Sequence, residues 1–283
     1  MEKITGPFLR VLFAIIPIIG VGWIFSIPDY AHITLTFQQV VGAILGTAMA
    51  AAFIKHPYGE KPGVLDLVLA LTSLAVWLWM AYNFEDWIIG MADRTPDKWV
   101  PGVFAIVLML EALRKSCGKV ITILVWVMIL YAFFGDALPG ALEAEVFPAT
   151  KIVLYLYADN NGIPGLVLRV VVQLVLAFII LGKLMEVSGA TTFFTDLAMG
   201  MMGHRRGGPA KVAVVASSAF GTISGSAVGN IMSTGIVTIP LMKRTGFEPR
   251  YAAAIEAVAS NGGQIAPPVM GATAFIIAEF LEL

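Results

Sequence analysis

Six apolar stretches, each close to the length of one membrane crossing, constrain this chain more than any other feature. They span residues 8–27, 33–54, 64–82, 100–113, 120–138 and 165–187. A bilayer core needs ~20 apolar residues of helix to cross it. Charged residues make up 13% of the chain, against about 25% in soluble domains. The sequence therefore predicts an all-α integral membrane protein built as a multi-span helical bundle.

The loops between these stretches alternate in charge. Acidic residues collect after the third and fifth stretches, and basic residues after the second, fourth and sixth. The basic residues are Lys55, Lys61, Arg114, Lys115, Lys119, Arg205, Arg206 and Lys211. Because short cytoplasmic loops are rich in Lys and Arg, we expect a multi-pass protein whose N-terminus, with Lys3 and Arg10, lies in the cytoplasm.

A seventh apolar region is interrupted by glycine and serine. Its halves, 209–223 and 230–243, would be only about 22 Å and 21 Å long as helices, shorter than the ~30 Å core. Basic residues flank both ends of the region. The simplest geometry is a re-entrant helical hairpin that enters from the cytoplasm, turns at 224–229 and returns. A Gly/Ser-rich packing kink is the alternative.

The predicted turn offers two kinds of ion site. The last carbonyls of the first half have no helical partner and carry the negative end of the helix dipole. With the hydroxyls of Ser224 and Ser226 they suit a small cation such as sodium. The second half begins near Asn230, where backbone amides favour an anion such as a carboxylate.

A second interruption follows within residues 251–281. The helix is expected to stop at Asn261 and resume near Pro268, because Pro267 and Pro268 cannot donate backbone hydrogen bonds. Carbonyls freed before the break, with the side chains of Asn261 and Gln264, can complete a cation shell. Broken helices of this kind build the sites of secondary transporters. Glu256 lies near this break and has three candidate roles: it shapes the ion site, it carries protons, or it pairs with a basic residue near the cytoplasmic end. The third interpretation is favoured.

Three smaller patterns complete the predicted architecture. Residues 191–203 have the spacing of an amphipathic helix on the cytoplasmic surface, and 147–162 are expected outside as a short surface helix. Gly42 and Gly46 form a GxxxG pair that indicates close helix contact, with or without an oligomeric role. Interfacial anchoring is the expected role of four tryptophans, Trp77, Trp79, Trp87 and Trp99.

Several chemistries find no support in the sequence. The single cysteine, Cys117, rules out an internal disulfide and a cysteine-based zinc site, and the three histidines show no ligand spacing. We therefore expect no transition-metal site. No HExxH or GxSxG motif and no intramembrane aspartate pair occurs, so the chain is not expected to be an enzyme. Nothing indicates a nucleic-acid partner.

The interrupted region resembles the large permease subunit of TRAP (tripartite ATP-independent periplasmic) transporters, the DctM-like family. The resemblance lies in GGPAKVAVVASSAFGTISGSAVGN and in TIPLMKRTGFEPRYAAAIEAVASNGGQIAPPVMGATAFIIAEFL. Upstream, LEALRKSCG and LYAFFGDALPG are similar to the branch in which small and large subunits are fused, commonly paired with TAXI-type binding proteins. This implies three regions: a small-subunit-like scaffold at 1–140, a connecting part at 141–206 and half of a transport domain at 207–283.

The resemblance also implies a function: uptake of an organic anion with sodium, by an elevator movement, after delivery by a periplasmic TAXI-type binding protein. It places the chain in a bacterial or archaeal cytoplasmic membrane. The implied sodium candidates are Ser224, Gly225, Ser226, Asn230, Ser260, Asn261, Gly262, Gly263 and Gln264. The implied substrate candidates are Ser226, Asn230, Pro267 and Pro268.

One departure from the family pattern concerns length. The large subunit has a second, inverted repeat, whereas this chain ends just after the first. We expect that the chain is truncated and that its missing C-terminal half, if encoded separately, is a partner. The alternative is a transport-incompetent membrane scaffold or assembly protein.

Overall fold

The computed structural model describes residues 2–30, 32–90, 93–145, 147–267 and 270–281. Its elements are helical and fall into two compact units, Met1–Arg169 and Val170–Leu283. Five helices in the described residues are long and apolar enough to cross a membrane: Gly6–Ile24, Phe37–Lys55, Val64–Ile89, Lys119–Ala137 and Leu166–Val187. The prediction of a multi-span helical membrane protein is confirmed. The predicted regions 1–140, 141–206 and 207–283 stay predictions.

The first unit contains helices α1 to α8. Their bounds are α1 Glu2–Ile24, α2 Ile27–Tyr30, α3 Phe37–Lys55, α4 Val64–Ile89, α5 Pro96–Cys117, α6 Lys119–Phe134, α7 Ala149–Ala158 and α8 Leu166–Val170. Two short 3₁₀ turns, Gly135–Ala137 and Gly140–Leu142, follow α6. Five of the six predicted apolar stretches thus appear among the spanning helices. The fourth forms α5, which has charged side chains near its C-terminal end and is not one of the five.

Helices α3 and α4 pack closely because glycines face the contact. A Cβ atom on Gly42 would lie 2.9 Å from the carbonyl oxygen of Trp77, and one on Gly46 would lie 3.1 Å from the Trp77 Cβ. The GxxxG pair therefore makes a contact within the chain. Trp77 is fully buried, with its ring centroid 5.3 Å from that of Tyr157 on α7.

Two expectations about this unit are wrong in detail. Trp77 and Trp87 are core residues rather than interfacial anchors, with 0% and 3% of their surface exposed, because α3, α5 and α7 cover them. The predicted outer helix does form, as α7, but one of its faces is buried against α5. There a Cβ on Gly102 would come within 2.8 Å of Val153.

An ion pair lies between α4 and α5. The Lys115 ammonium is 2.9 Å from the Asp66 carboxylate, and the two side chains are only 5% and 3% exposed. The carboxylate also accepts backbone hydrogen bonds from Gly63 and Tyr58. The pair joins the two helices inside the unit, where removal of either charge would leave the other uncompensated.

The second unit begins within a spanning helix. After a π-helical turn, Val171–Val175, come α9 Leu176–Val187, α10 Ala190–Met202, α11 Gly208–Ser224, α12 Ala227–Arg244, α13 Pro249–Gly262 and α14 Ala272–Phe280. The predicted helix at 191–203 forms as α10, with Ala198 buried against α11 and with Phe193 and Leu197 exposed. Its place on the cytoplasmic surface stays a prediction. Helices α11 and α12 form the predicted hairpin, and α13 packs against both.

The turn of the hairpin is shorter than expected. It consists of Gly225 and Ser226, not the whole of 224–229. Gly225 adopts a left-handed conformation with φ of 59°, which ends α11. Ser226 then starts α12 at once, because its Oγ accepts a hydrogen bond from the Gly229 amide at 3.1 Å.

Candidate functional site

A buried cluster of polar side chains lies between the hairpin and α13. Each member is at most 1% exposed: Ser217 on α11, Asn230, Thr234 and Thr238 on α12, and Glu256 and Ser260 on α13. Apolar cores do not bury such groups without a cost that hydrogen bonds must offset. The cluster is therefore the feature of this unit that most needs a functional explanation.

Helical periodicity brings these side chains together. Asn230, Thr234 and Thr238 recur every fourth residue, so they share one face of α12. Glu256 and Ser260 have the same spacing on α13. This face of α12 is turned toward α11 and α13, and it places three polar groups in the contact between the three helices.

Glu256 is at the centre of the cluster. Its Oε1 accepts hydrogen bonds from Ser217 Oγ at 2.5 Å and Thr234 Oγ1 at 2.6 Å, and its Oε2 accepts from Thr238 Oγ1 at 2.5 Å. Ser260 Oγ lies 3.4 Å from Oε1. The expectation that Glu256 pairs with a basic residue near a helix end is wrong, because the side chain is directed into the three-helix contact.

Asn230 connects the cluster to α11. Its Nδ2 donates to the Ser217 carbonyl oxygen at 2.7 Å, and its Oδ1 lies 3.2 Å from Thr234 Oγ1. The same Nδ2 would lie 3.1 Å from a Cβ placed on Gly221. This predicted site residue is therefore held from both α11 and α12, with its amide beside the backbone of Gly221.

The hairpin tip contains one unsatisfied polar atom. Ser224 Oγ is buried, and no hydrogen-bond partner for it exists among the described residues. It belongs to the last turn of α11, where backbone carbonyls lack helical partners. The hydroxyl of Ser226, by contrast, is already used as the cap of α12. Of the two predicted serines, Ser224 is the one whose hydroxyl has no hydrogen-bond partner among the described residues.

The predicted break forms and meets the hairpin at one point, but it is longer than expected, because α13 ends at Gly262 and the next helix begins at Ala272 rather than near Pro268. A Cβ on Gly221 would lie only 2.5 Å from the Gly263 Cα, so the backbones touch. A Cβ on Gly262 would lie 3.8 Å from Ser218 Oγ. Gly263 and Asn230 are thus brought together around Gly221, as the hypothesis of a shared site requires.

Other predicted residues lie around the break without joining this contact. Asn261 is exposed, and its Nδ2 donates to the Ala257 carbonyl at 2.9 Å. The Gln264 carbonyl accepts from the Gly271 amide at 2.6 Å, which closes the loop before α14. Pro267 is exposed, and Pro268 lies outside the described residues.

Three members of the cluster were not among the sequence candidates: Ser217, Thr234 and Thr238. The four-residue spacing of Asn230, Thr234 and Thr238 is visible in the sequence and indicates a polar face on α12. Nothing in the sequence shows that this face is turned toward a buried carboxylate on α13.

An apolar cleft of about 910 Å³ lies in the first unit, between α5, α6 and α7. Its walls consist mainly of aliphatic side chains such as Leu110, Leu124 and Met128. Charged and polar ligands need placed polar partners, so the polar cluster, not this cleft, is the candidate site.

The spanning helices and the polar hairpin define a multi-span helical membrane protein with a polar site inside one of its units. The chain belongs to the DctM family, described as the DctM component of tripartite ATP-independent periplasmic transporters, which matches residues 104–283. Because this is a family of transporters, the prediction that the chain is not an enzyme is confirmed.

Individual relatives support the family. The 2,3-diketo-L-gulonate TRAP transporter large permease protein YiaN of Escherichia coli is 32% identical over 100 residues, 35% of this chain and 23% of that protein. The C4-dicarboxylate TRAP transporter large permease protein DctM of Pseudomonas aeruginosa is 33% identical over 91 residues, 32% of this chain and 21% of that protein. The matches thus span less than a quarter of either relative. No solved structure matches the chain significantly.

Proposed function

We propose that this chain forms part of the permease of a TRAP-type secondary transporter that takes up an organic anion together with sodium. A periplasmic binding protein, of the TAXI type, delivers the substrate. Family membership supports the permease role. Two relatives are named for 2,3-diketo-L-gulonate and for C4-dicarboxylates, which are carboxylate anions.

The unpaired Ser224 hydroxyl is the observation that supports sodium binding. A buried oxygen without a donor costs about 1–3 kcal/mol, and it lies where the last turn of α11 presents its carbonyls. A bound sodium ion would be coordinated by the Ser224 hydroxyl oxygen and by these carbonyl oxygens. Asn230 and the break around Gly263 would supply further oxygens. The amides at the start of α12, beside Ser226, would face the carboxylate of the substrate.

The proposal is tested by sodium binding to the purified full chain. Thermal unfolding is followed by circular dichroism at constant ionic strength, with NaCl exchanged for choline chloride. We expect sodium to raise the melting temperature of the wild type. Ser224→Ala should lose most of this rise, yet melt no lower than the wild type without sodium, because it removes an unpaired buried hydroxyl.

Ser188→Ala is the matched control. The Ser188 hydroxyl donates to the Met185 carbonyl at 2.8 Å on the exposed end of α9, so its loss should leave the sodium response unchanged. A wild type that melts identically in NaCl and choline chloride would refute the sodium proposal.

Uptake is the second measurement. In the complete permease reconstituted with its binding protein, alanine at Ser224, Ser226 or Asn230 should weaken sodium-dependent uptake of radiolabelled succinate or a related carboxylate at limiting sodium. Unchanged uptake in all three variants would contradict the site assignment. Failure of the wild type to take up any carboxylate would favour the alternative of a transport-incompetent scaffold.

A further inference from the structure

Glu256 is a buried acid without a basic partner. It is 0% exposed, and no Lys, Arg or His in the described part of the second unit pairs with it. The lysines and arginines of that part of the chain are all exposed: Lys183, Arg205, Arg206, Lys211, Lys243, Arg244 and Arg250. No basic side chain in the described part of the second unit therefore compensates a charge on Glu256.

The surroundings of Glu256 consist of hydrogen-bonding groups rather than charges. Four hydroxyl groups surround its two oxygens, and three of the contacts are 2.5–2.6 Å long. Such donors stabilise a carboxylate charge locally, but hydroxyls are neutral and do not cancel it.

A buried charge of this kind normally has a counter-charge or coordinates a metal ion. We infer that Glu256 is the counter-charge of the cation bound where the hairpin tip meets the break. The inference rests on the proposed sodium-coupled function and adds the residue that makes the site favourable for a positive ion. The direct oxygen ligands proposed above are all neutral.

The Glu256 carboxylate lies close to Asn230, one of the proposed sodium ligands, and shares hydrogen-bonding partners with it. Only the Thr234 hydroxyl separates Glu256 Oε1 from Asn230 Oδ1, with contacts of 2.6 Å and 3.2 Å. Ser217 is bonded to both residues, through its hydroxyl to Glu256 and through its carbonyl to Asn230. Glu256 thus acts through its charge and by holding Asn230, and is a positioning residue rather than a ligand.

Two substitutions separate charge from hydrogen bonding. Glu256→Gln keeps the length of the side chain and its acceptor oxygen but removes the charge, whereas Glu256→Asp keeps the charge and shortens the side chain. The counter-charge role predicts that the Asp variant binds sodium more tightly than the Gln variant. A purely structural hydrogen-bonding role predicts the opposite order.

The measurement is the NaCl concentration that gives half of the maximal thermal stabilisation of the purified full chain. For Glu256→Gln we expect it to rise about ten- to thirtyfold, the effect of removing a unit charge about 8–12 Å from the ion at an effective dielectric constant of about 20. Thr195→Val is the matched control, because it removes a buried threonine hydroxyl that donates to the Thr191 carbonyl on α10 and leaves the cluster intact. It should change the value by no more than about twofold.

The outcomes are distinct. Unchanged sodium binding in Glu256→Gln, tighter binding in the Gln than in the Asp variant, or an equal loss in Thr195→Val would overturn the inference and leave the sodium proposal standing. A wild type without any sodium response would overturn both. Infrared spectroscopy at neutral pH in saturating NaCl is an independent readout: a protonated-carboxyl band that is present in the wild type and absent from Glu256→Gln would overturn the inference.

Discussion

Replacing Gly221 with alanine would put a methyl group where α11 touches the end of α13. The new Cβ would lie 2.5 Å from the Gly263 Cα and 3.1 Å from Asn230 Nδ2. The first neighbour is backbone, so it cannot rotate away as a side-chain tip does. The two helices must separate, and the Asn230 amide must shift with them.

The magnitude follows from two opposing effects. Alanine in a helix interior is favoured over glycine by about 0.5–1 kcal/mol. Forcing a methyl group into a closely packed contact costs about 1–3 kcal/mol, and this backbone contact belongs at the upper end. The net expectation is a loss of about 2–2.5 kcal/mol in the free energy of unfolding of the second unit.

Gly200 provides the control for this prediction. It lies inside α10, and a Cβ there would meet nothing within 4 Å, so Gly200→Ala should gain about 0.5–1 kcal/mol. Unfolding by sodium dodecyl sulfate in mixed micelles, followed by circular dichroism, measures both variants, and hydrogen exchange localises the change to α11–α13. If Gly221→Ala proves as stable as Gly200→Ala, the proposed backbone contact between the hairpin and the break is wrong.

Two further predictions concern the first unit and the topology. Lys115→Met should lower the free energy of unfolding by about 3–5 kcal/mol, because it leaves Asp66 charged and unpaired, and adding Asp66→Asn should recover much of this loss. Tryptophan fluorescence in the same denaturant titration measures the change, because all six tryptophans lie in the first unit. A loss below about 1 kcal/mol would mean that the pair is solvated. In a background lacking Cys117, a cysteine at Arg244 should react only with a label applied from the cytoplasmic side, and one at Lys151 only from outside. External labelling at position 244 would contradict the re-entrant hairpin.

Most of the hairpin could be predicted from the sequence. Helix length and the Gly/Ser-rich interruption at 224–229 predicted two short helices joined by a turn, and both formed. These features depend on local chemistry: a glycine that accepts a left-handed conformation and a serine that caps the next helix. The turn was predicted too long because the capping role of Ser226 was not recognised.

The interpretation of Glu256 failed for a different reason. A sequence pattern gives the face of a helix but not the neighbour that face meets. Thr234, Thr238 and Ser217 surround the carboxylate only because α11, α12 and α13 pack together. The buried position of Trp77 likewise depends on α7, some 80 residues further along the chain. Such long-range contacts could not be read from the local pattern.

The π-helical turn Val171–Val175 has a consequence for insertions and deletions. A π turn accommodates one extra residue in a helix, and each residue rotates the following face by about 100°. The turn packs against α14 of the same unit. Its length therefore sets which side chain of α9 meets the hairpin tip, and that residue is Gly182, where a Cβ would come within 3.1 Å of the Ser224 Cα. Deleting one residue from the turn would bring a neighbouring, larger residue of α9 against Ser224. A change in the length of this turn would therefore disturb the contact at Ser224 as directly as a substitution of Gly182.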